Sequence, residues 1–315
     1  MSLSRIDLEE IFNASCKRKC NKLERIETTE NDLCKDVFSV VDNLPVRCVG
    51  QWAVQKIYLL NQYFGIFSTG MKNKWEINYV EICSGPGRCI SRDSGTEFNG
   101  TALSILKHDA FKYIHKAIFF DFNPAIVDSL NKRIENLKIE NAKAIIGDYY
   151  KPDEICDNIK KGINHRSLNL VLIDPTDCSV PFSLISHLKR TIPNIDFIIN
   201  IATRSDFNRN IREVLLNQVK YKNTVRKYSS FLNTTSFFEN PENLRFAELN
   251  QNLELRNAFR DAYIQSLKDI GYEHFKLSSI NNLYDILFAT ANPKGIEFWN
   301  KATKHNYDGQ GKLNL

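Results

Sequence analysis

Short apolar runs alternate with amphipathic stretches through the middle of the chain. The runs are INYVEIC (77–83), KAIFFD (116–121), AKAIIG (142–147), LNLVLID (168–174) and IDFIINI (195–201). Near-continuous apolarity over about six residues suits strands buried on both faces, as in a parallel sheet. Helical periodicity fills the intervals at about 99–114, 124–138, 152–161 and 181–190. Strand and helix in alternation predict a doubly wound α/β sheet with right-handed crossovers. Ahead of the first strand, Trp52, Leu59, Leu60, Tyr63, Phe64 and Phe67 form one stripe of a helix over 49–67. Beyond the fifth, a helix over about 206–219, a Thr/Ser/Asn-rich patch (233–243) and a long helical pattern (243–270) exceed a simple crossover, so 206–270 is expected to hold a helical insertion. GYEHFKLSSI and LYDILFATA, joined by Asn281-Asn282, close the sheet as an antiparallel hairpin, giving seven strands, mostly parallel. A helix from Lys294 to Thr303 carrying Trp299 follows.

Residues 1–47 show charged clusters and turn residues but no steady apolar period, and DNLPVR (42–47) ends them on a proline turn. They are expected to be an N-terminal extension, with 48–303 the α/β domain and 304–315 a tail. Asp7, Glu9 and Glu10 interrupt any secretory signal, and no apolar run approaches the ~20 residues of a membrane span. The expectation is a cytoplasmic protein with no membrane partner.

The chain's 315 residues are 43% hydrophobic, with 20 Phe and 12 Tyr, enough for one large core or two modest ones. A net charge of +5 is too small to diagnose nucleic-acid binding unless it is concentrated. It is concentrated: Arg204, Arg209, Arg212, Lys220, Lys222, Arg226 and Lys227 face only Asp206 and Glu213, so this segment carries the whole surplus. With Tyr221, Tyr228 and Phe231 interleaved it can grip a nucleic-acid backbone and stack bases; a solvated helix face is the plainer alternative. The eight cysteines are scattered, which favours reduced thiols. Cys16, Cys20, Cys34 and Cys48 are separated by three, thirteen and thirteen residues, the spacing of neither zinc-ribbon knuckles nor CxxxCxxC, so no metal is expected.

In an open α/β sheet, ligands sit beyond the carboxyl ends of the strands. Gly85 and Gly87 follow the first strand and allow a sharp turn and close approach to a ligand, while Glu81 can accept from a cationic amine. Asp121 ends the second strand, where a carboxylate can take both hydroxyls of a ribose. Asp148 follows the third and can accept from an adenine amine, with Tyr149 to stack on the ring. Any one of these acids equally suits a helix cap or turn; three at the ends of successive strands favour a nucleoside site. A dinucleotide fingerprint fails on spacing, because Gly87 leads into the polar stretch SRDSGTEFNG and Asp121 lies 34 residues on. Asp174-Pro175 ends the fourth strand; its carboxylate and neighbouring carbonyl can orient an exocyclic amine, or Asp174 can cap the next helix.

GQWAVQK (50–56), YVEICSGPGR (79–88), GTEFNGTAL (95–103), LIDPTDCSVPFSLI (172–185) and LYDILFATANPKGIEFW (283–299) together resemble the three-Cys-motif partner protein family, TcmP, over about 42–303. The resemblance implies a bacterial protein with a class I, Rossmann-like methyltransferase fold, a pattern that the closing hairpin also matches. It implies S-adenosylmethionine as cofactor, held at Glu81, Gly85, Gly87, Asp121, Asp148 and Asp174, and a radical-SAM-like partner that carries the three cysteines. Two positions depart from the family's pattern. Glu81 stands where Asp is more usual, and no aromatic follows Asp174-Pro175. The residues and the resemblance together lead to a methyltransferase acting on or with nucleic acid, with Asp174 and Pro175 at the acceptor. A non-catalytic nucleoside-binding subunit and, third, an NAD-dependent dehydrogenase are the alternatives.

Overall fold

The computed structural model describes residues 10–17, 20, 29–30, 33–280 and 283–304, without the side chains of 29–30 and 204–205. Asp7, Glu9, the Asn281-Asn282 turn and the tail from 305 lie outside the described residues. The chain divides into two compact units, 1–147 with 297–315, and 148–296.

All five apolar runs are strands: β5 (Ile77–Ile82), β8 (Ile114–Asp121), β9 (Ala142–Ile146), β10 (Leu168–Ile173) and β11 (Ile195–Ile201). The hairpin supplies β12 (His274–Ile280) and β13 (Tyr284–Thr290). These seven strands form a mostly parallel sheet in the order β12-β13-β11-β10-β5-β8-β9. β13 is antiparallel to both β11 and β12, so it alone runs against the rest. With helices between the parallel strands, this is the Rossmann-like, doubly wound α/β fold.

In the first unit, β5 pairs with β8 and β8 with β9, all parallel. Every residue of β5 is buried, which is why its sequence lacks alternation. The apolar stripe becomes α1 (Trp52–Met71), starting three residues later than expected because Val49 belongs to a strand and ending four later, with Tyr63, Phe64 and Phe67 in the core. Trp299, on the closing helix Pro293–Ala302, packs its ring against Tyr63 at 5.2 Å. The helix Pro124–Asn136 starts at Asn123, whose side chain accepts from the Ala125 N–H, with Pro124 at the first turn.

The segment expected to be an extension instead supplies strands β1 (Ile11–Phe12), β2 (Thr29–Glu30), β3 (Leu33–Phe38) and β4 (Pro45–Val49). With β6 (Arg88–Ser91) and β7 (Thr96–Asn99) they make a second sheet, ordered β1-β7-β6-β4-β3-β2. The stretch after Gly87 is thus a hairpin and not a loop. Its central acid is satisfied out of water: Glu97, wholly buried, accepts from Arg88 Nε, Ser39 Oγ and the Val40 N–H at 3.0 Å. The single helix expected over 99–114 is correspondingly shorter, a turn and a half at Thr101–Leu106 and a 3-10 turn at Asp109–Tyr113.

In the second unit, β10 and β11 pair in parallel. The insertion is a helical group with an aromatic core of Phe207, Tyr228, Phe231, Phe259 and Tyr263. The long helical pattern is broken into Pro241–Glu248 and Asn252–Asp269 by Asn250, at φ 57°. A helix over Lys222–Leu232, within and beyond the basic segment, was not legible in the pattern.

Candidate functional site

The turn after β5 is the most constrained backbone of the first unit. Cys83, Gly85 and Gly87 have φ of 65°, 66° and 96°. For Cys83 that left-handed geometry costs about 1–2 kcal/mol, so the turn is held by its surroundings. The hold comes from the next strand of the sheet, because Ile82 lies opposite Phe120 in the ladder. The Ser84 N–H donates to the Phe120 carbonyl at 3.0 Å, and the Gly85 N–H to Asp121 Oδ2 at 3.1 Å. Asp121 Oδ1 accepts from the Asn123 N–H at 3.2 Å. Asp121 is 7% exposed. Burial pushes its carboxyl up, opposed by those two N–H groups and by the Arg47 cation. Each oxygen keeps a lone pair, so the carboxylate can still take two hydroxyls. Gly85 and Asp121, named separately from sequence, are thus in direct contact.

Gly87 is required sterically. A Cβ there would lie 3.0 Å from Leu103 and Leu130 and 3.3 Å from Arg133 Cδ. Arg133, 3% exposed, braces the turn: its Nη1 donates to the Pro86 carbonyl at 2.5 Å and the Pro45 carbonyl at 3.0 Å. Its Nε and Nη2 grip Asp42 at 2.7 and 2.9 Å. Glu81 is placed differently from expectation. It is wholly buried, and its Oε2 accepts from the Tyr79 hydroxyl at 2.9 Å, beside the rings of Phe64 and Phe119. That oxygen is engaged inside the core, because Glu81 and Tyr79 share one side of the strand.

In the second unit, Asp148 Oδ1 accepts from the Tyr150 N–H at 2.9 Å, closing a local turn. The Tyr149 hydroxyl lies 3.1 Å from Ser179 Oγ, and the Tyr150 hydroxyl donates to the Ser179 carbonyl at 3.3 Å. The residues named for adenine therefore touch the loop that Asp174-Pro175 begins. Asp174 is 5% exposed, and its Oδ1 accepts from Asn200 Nδ2 at 2.9 Å. The same nitrogen donates to the Pro175 carbonyl at 3.1 Å. Asn200, on β11, thus bonds both acceptors named for a substrate amine. Pro181 precedes the helix Phe182–Thr191, which has no side-chain cap, so Asp174 is not its cap.

The basic segment is only partly a cationic surface. Arg209, Lys220, Lys222 and Arg226 are exposed, and the Arg204 side chain lies outside the described residues. Arg212 donates to the Ala247 carbonyl and pairs with Glu213. Lys227 pairs with Asp206 at 2.7 Å and Asp177 at 3.3 Å, and Asp206 holds it protonated to higher pH against the cost of burial. Asp206 also accepts from the Tyr228 hydroxyl and the Cys178 N–H, tying this helix to the Asp174 loop. Tyr228 and Phe231 are core residues, 0% and 1% exposed, and so cannot stack bases as the sequence suggested. Cys16, Cys34 and Cys48 share one small cluster with Val37, Val46 and Ile90, where burial pushes the Cys48 thiol up to about 11. Among the described residues no group of three His, Cys, Asp or Glu is arranged to hold a metal ion, and no helix is long and apolar enough to cross a membrane.

Sequence reasoning missed Arg47, Arg133, Cys83 and Asn200. Only the proline turn DNLPVR marked the neighbourhood of the first, and Cys83 sits inside YVEICSGPGR without being singled out; Arg133 and Asn200 carry no motif.

No protein-family model matches the sequence, and no curated protein matches it. Among solved structures, the chain is similar to human N-acetylserotonin methyltransferase in complex with SAM, at TM-score 0.35 and 14% identity over 76% of this chain and 53% of that one. It is similar to human methyltransferase-like protein 13 in complex with SAH, at TM-score 0.43 and 12% identity over 83% and 95%. A Legionella pneumophila protein, LPL1258, gives 0.44 and 9% over 82% and 94%. The chain thus spans about half the length of the N-acetylserotonin methyltransferase structure.

Proposed function

We propose that this chain is an S-adenosylmethionine-dependent methyltransferase. The observation that carries the reading is the contact between the glycine turn and Asp121, a buried carboxylate whose oxygens take backbone N–H groups at 3.1 and 3.2 Å and retain capacity for a diol. The residues fit an adenosine bearing an amino-acid chain: Asp121 receives the ribose hydroxyls and the Gly85–Gly87 turn takes the amino-acid part. Asp148 and Tyr149 are assigned to adenine. The cofactor, when bound, supplies an electrophilic methyl carbon. Asp174 and the Pro175 carbonyl are assigned to the acceptor amine, which they would hold by accepting its N–H groups, catalysis by positioning. A dinucleotide fits poorly, because the turn leads into the hairpin β6–β7 and not into a helix N-terminus that would receive a pyrophosphate.

For the acceptor we propose nucleic acid, supported by the exposed Arg209, Lys220, Lys222 and Arg226. A radical-SAM-like partner is proposed from the family resemblance alone. A second reading, a nucleoside-binding subunit without catalysis, is favoured by one observation: the Asn200 amide bonds both Asp174 Oδ1 and the Pro175 carbonyl.

Thermal shifts with S-adenosylhomocysteine, S-adenosylmethionine, NAD and ATP test the cofactor. A ligand at about 100 times its Kd adds ~2.7 kcal/mol, so stabilisation by the first two alone supports the reading and stabilisation by NAD alone overturns it. Labelled methyl transfer to RNA or DNA, lost in Asp174→Ala with cofactor binding kept, separates the enzyme from the subunit.

A further inference from the structure

Arg47 sits on the small sheet, yet its side chain reaches the glycine turn. A Cβ on Gly85 would lie 3.3 Å from Arg47 Nη1 and 3.6 Å from its Cδ. The approach is built in three ways. β4 pairs in parallel with β6, setting Arg47 opposite Cys89, and β6 begins directly after Gly87. Arg133 bonds the Pro45 and Pro86 carbonyls with one nitrogen, fixing the start of β4 to the turn. Gly85, at φ 66°, leaves no side chain between the guanidinium and the turn's backbone. Arg47 is half-buried, so a ligand can still reach it.

The charges there are unequal in role. Arg133 is committed to Asp42, and Asp121 is an anion suited to hydroxyls. Any ligand that puts an amino-acid chain against this turn brings a carboxylate, which Asp121 repels. Arg47 lies close enough to Asp121 to act on its charge, and a guanidinium offers the fork that binds a carboxylate through two N–H groups.

We propose that Arg47 recognises the α-carboxylate of the cofactor's amino-acid part, which makes β4 of the N-terminal sheet a wall of the cofactor site. The proposal rests on the methyltransferase reading. It gives strand β4 a place in the site. It also states a specificity: the site selects adenosyl amino acids over adenosine thioethers that lack the carboxylate.

The test is isothermal titration of the full chain with S-adenosylhomocysteine and with 5′-methylthioadenosine, which keeps the adenosine and lacks the carboxylate. Wild type should prefer S-adenosylhomocysteine, and the preference should shrink as ionic strength rises. Arg47→Gln should weaken S-adenosylhomocysteine ~10- to 100-fold, the range for a charge-assisted pair, and leave methylthioadenosine within about twofold. Arg47→Lys, which keeps the charge without the fork, should fall between. Equal affinity of wild type and Arg47→Gln for S-adenosylhomocysteine overturns the proposal and leaves the cofactor reading standing. Equal weakening of both ligands also overturns it, since Arg47 would then act by shaping the turn. If wild type binds neither ligand, the cofactor reading fails and the proposal with it. Should Arg47→Gln not fold, the wild-type preference and Arg47→Lys decide the matter.

Discussion

Replacing Arg133 by Met keeps most of its apolar stem and removes a guanidinium that makes four hydrogen bonds, two to Asp42 and one each to the Pro45 and Pro86 carbonyls. The side chains of Arg133 and Asp42 are 2% and 14% exposed. Breaking a buried ion pair from one side costs about 3–5 kcal/mol. Water can reach part of Asp42, and the Leu44 N–H still bonds it at 3.0 Å, so the lower end, ~3 kcal/mol, is expected. At ~2–4 °C per kcal/mol the melting temperature should fall by roughly 6–12 °C at neutral pH.

The pH dependence carries a sign. Arg133 holds the Asp42 carboxyl below its ordinary value, against burial, which raises it. A depressed carboxylate stabilises the fold above its unfolded pKa of about 3.9 and loses that contribution as pH falls through the folded value. The gap between wild type and variant, followed by circular dichroism, should therefore be full at neutral pH and narrow below about pH 4. Adding Asp42→Leu should recover part of the loss, because the stranded carboxylate goes with it. A melting temperature within about 1 °C of wild type at neutral pH, or a gap that does not change with pH, refutes the clamp.

Cys83→Gly should relieve left-handed strain and raise stability by up to ~1 kcal/mol; a loss larger than that in urea unfolding would mean the thiol's own contacts dominate. Asp206→Asn should destabilise the second unit by ~2–3 kcal/mol, since the carboxylate joins Lys227, Tyr228 and the Cys178 N–H. Because the Lys227 pKa is raised, that contribution is present at neutral pH and disappears as pH climbs through the folded value, above the ordinary lysine value of about 10.4, so unfolding curves of the two proteins should converge only in alkali.

The seven-stranded sheet was legible because its central strands are buried on both faces, so burial appears directly as apolar runs such as INYVEI. The small sheet was not. Its strands are short, and the two pairings that join its hairpins are distant in sequence, as where Ile11 meets Glu97 and Arg47 meets Cys89. The hairpin after Gly87 reads as a polar loop because Arg88 and Glu97 pair out of water, an arrangement that periodicity cannot register. Of the candidate site, the positions of Gly85 and Asp121 at strand ends were readable, and the structure puts the two in contact. Strand position does not reveal that the Tyr79 hydroxyl bonds one oxygen of Glu81. Arg47 and Asn200 were invisible, because each acts through a ladder or a side-chain bond linking segments far apart in sequence.

The central claim is that the Gly85–Asp121 junction holds an adenosyl cofactor through its ribose. Titration of S-adenosylhomocysteine into wild type and Asp121→Ala reads it directly. Two hydroxyl bonds to a buried carboxylate, at ~1.5–3 kcal/mol each, predict at least about a 100-fold loss of affinity. Equal binding to the two proteins, or no binding to wild type, would contradict it.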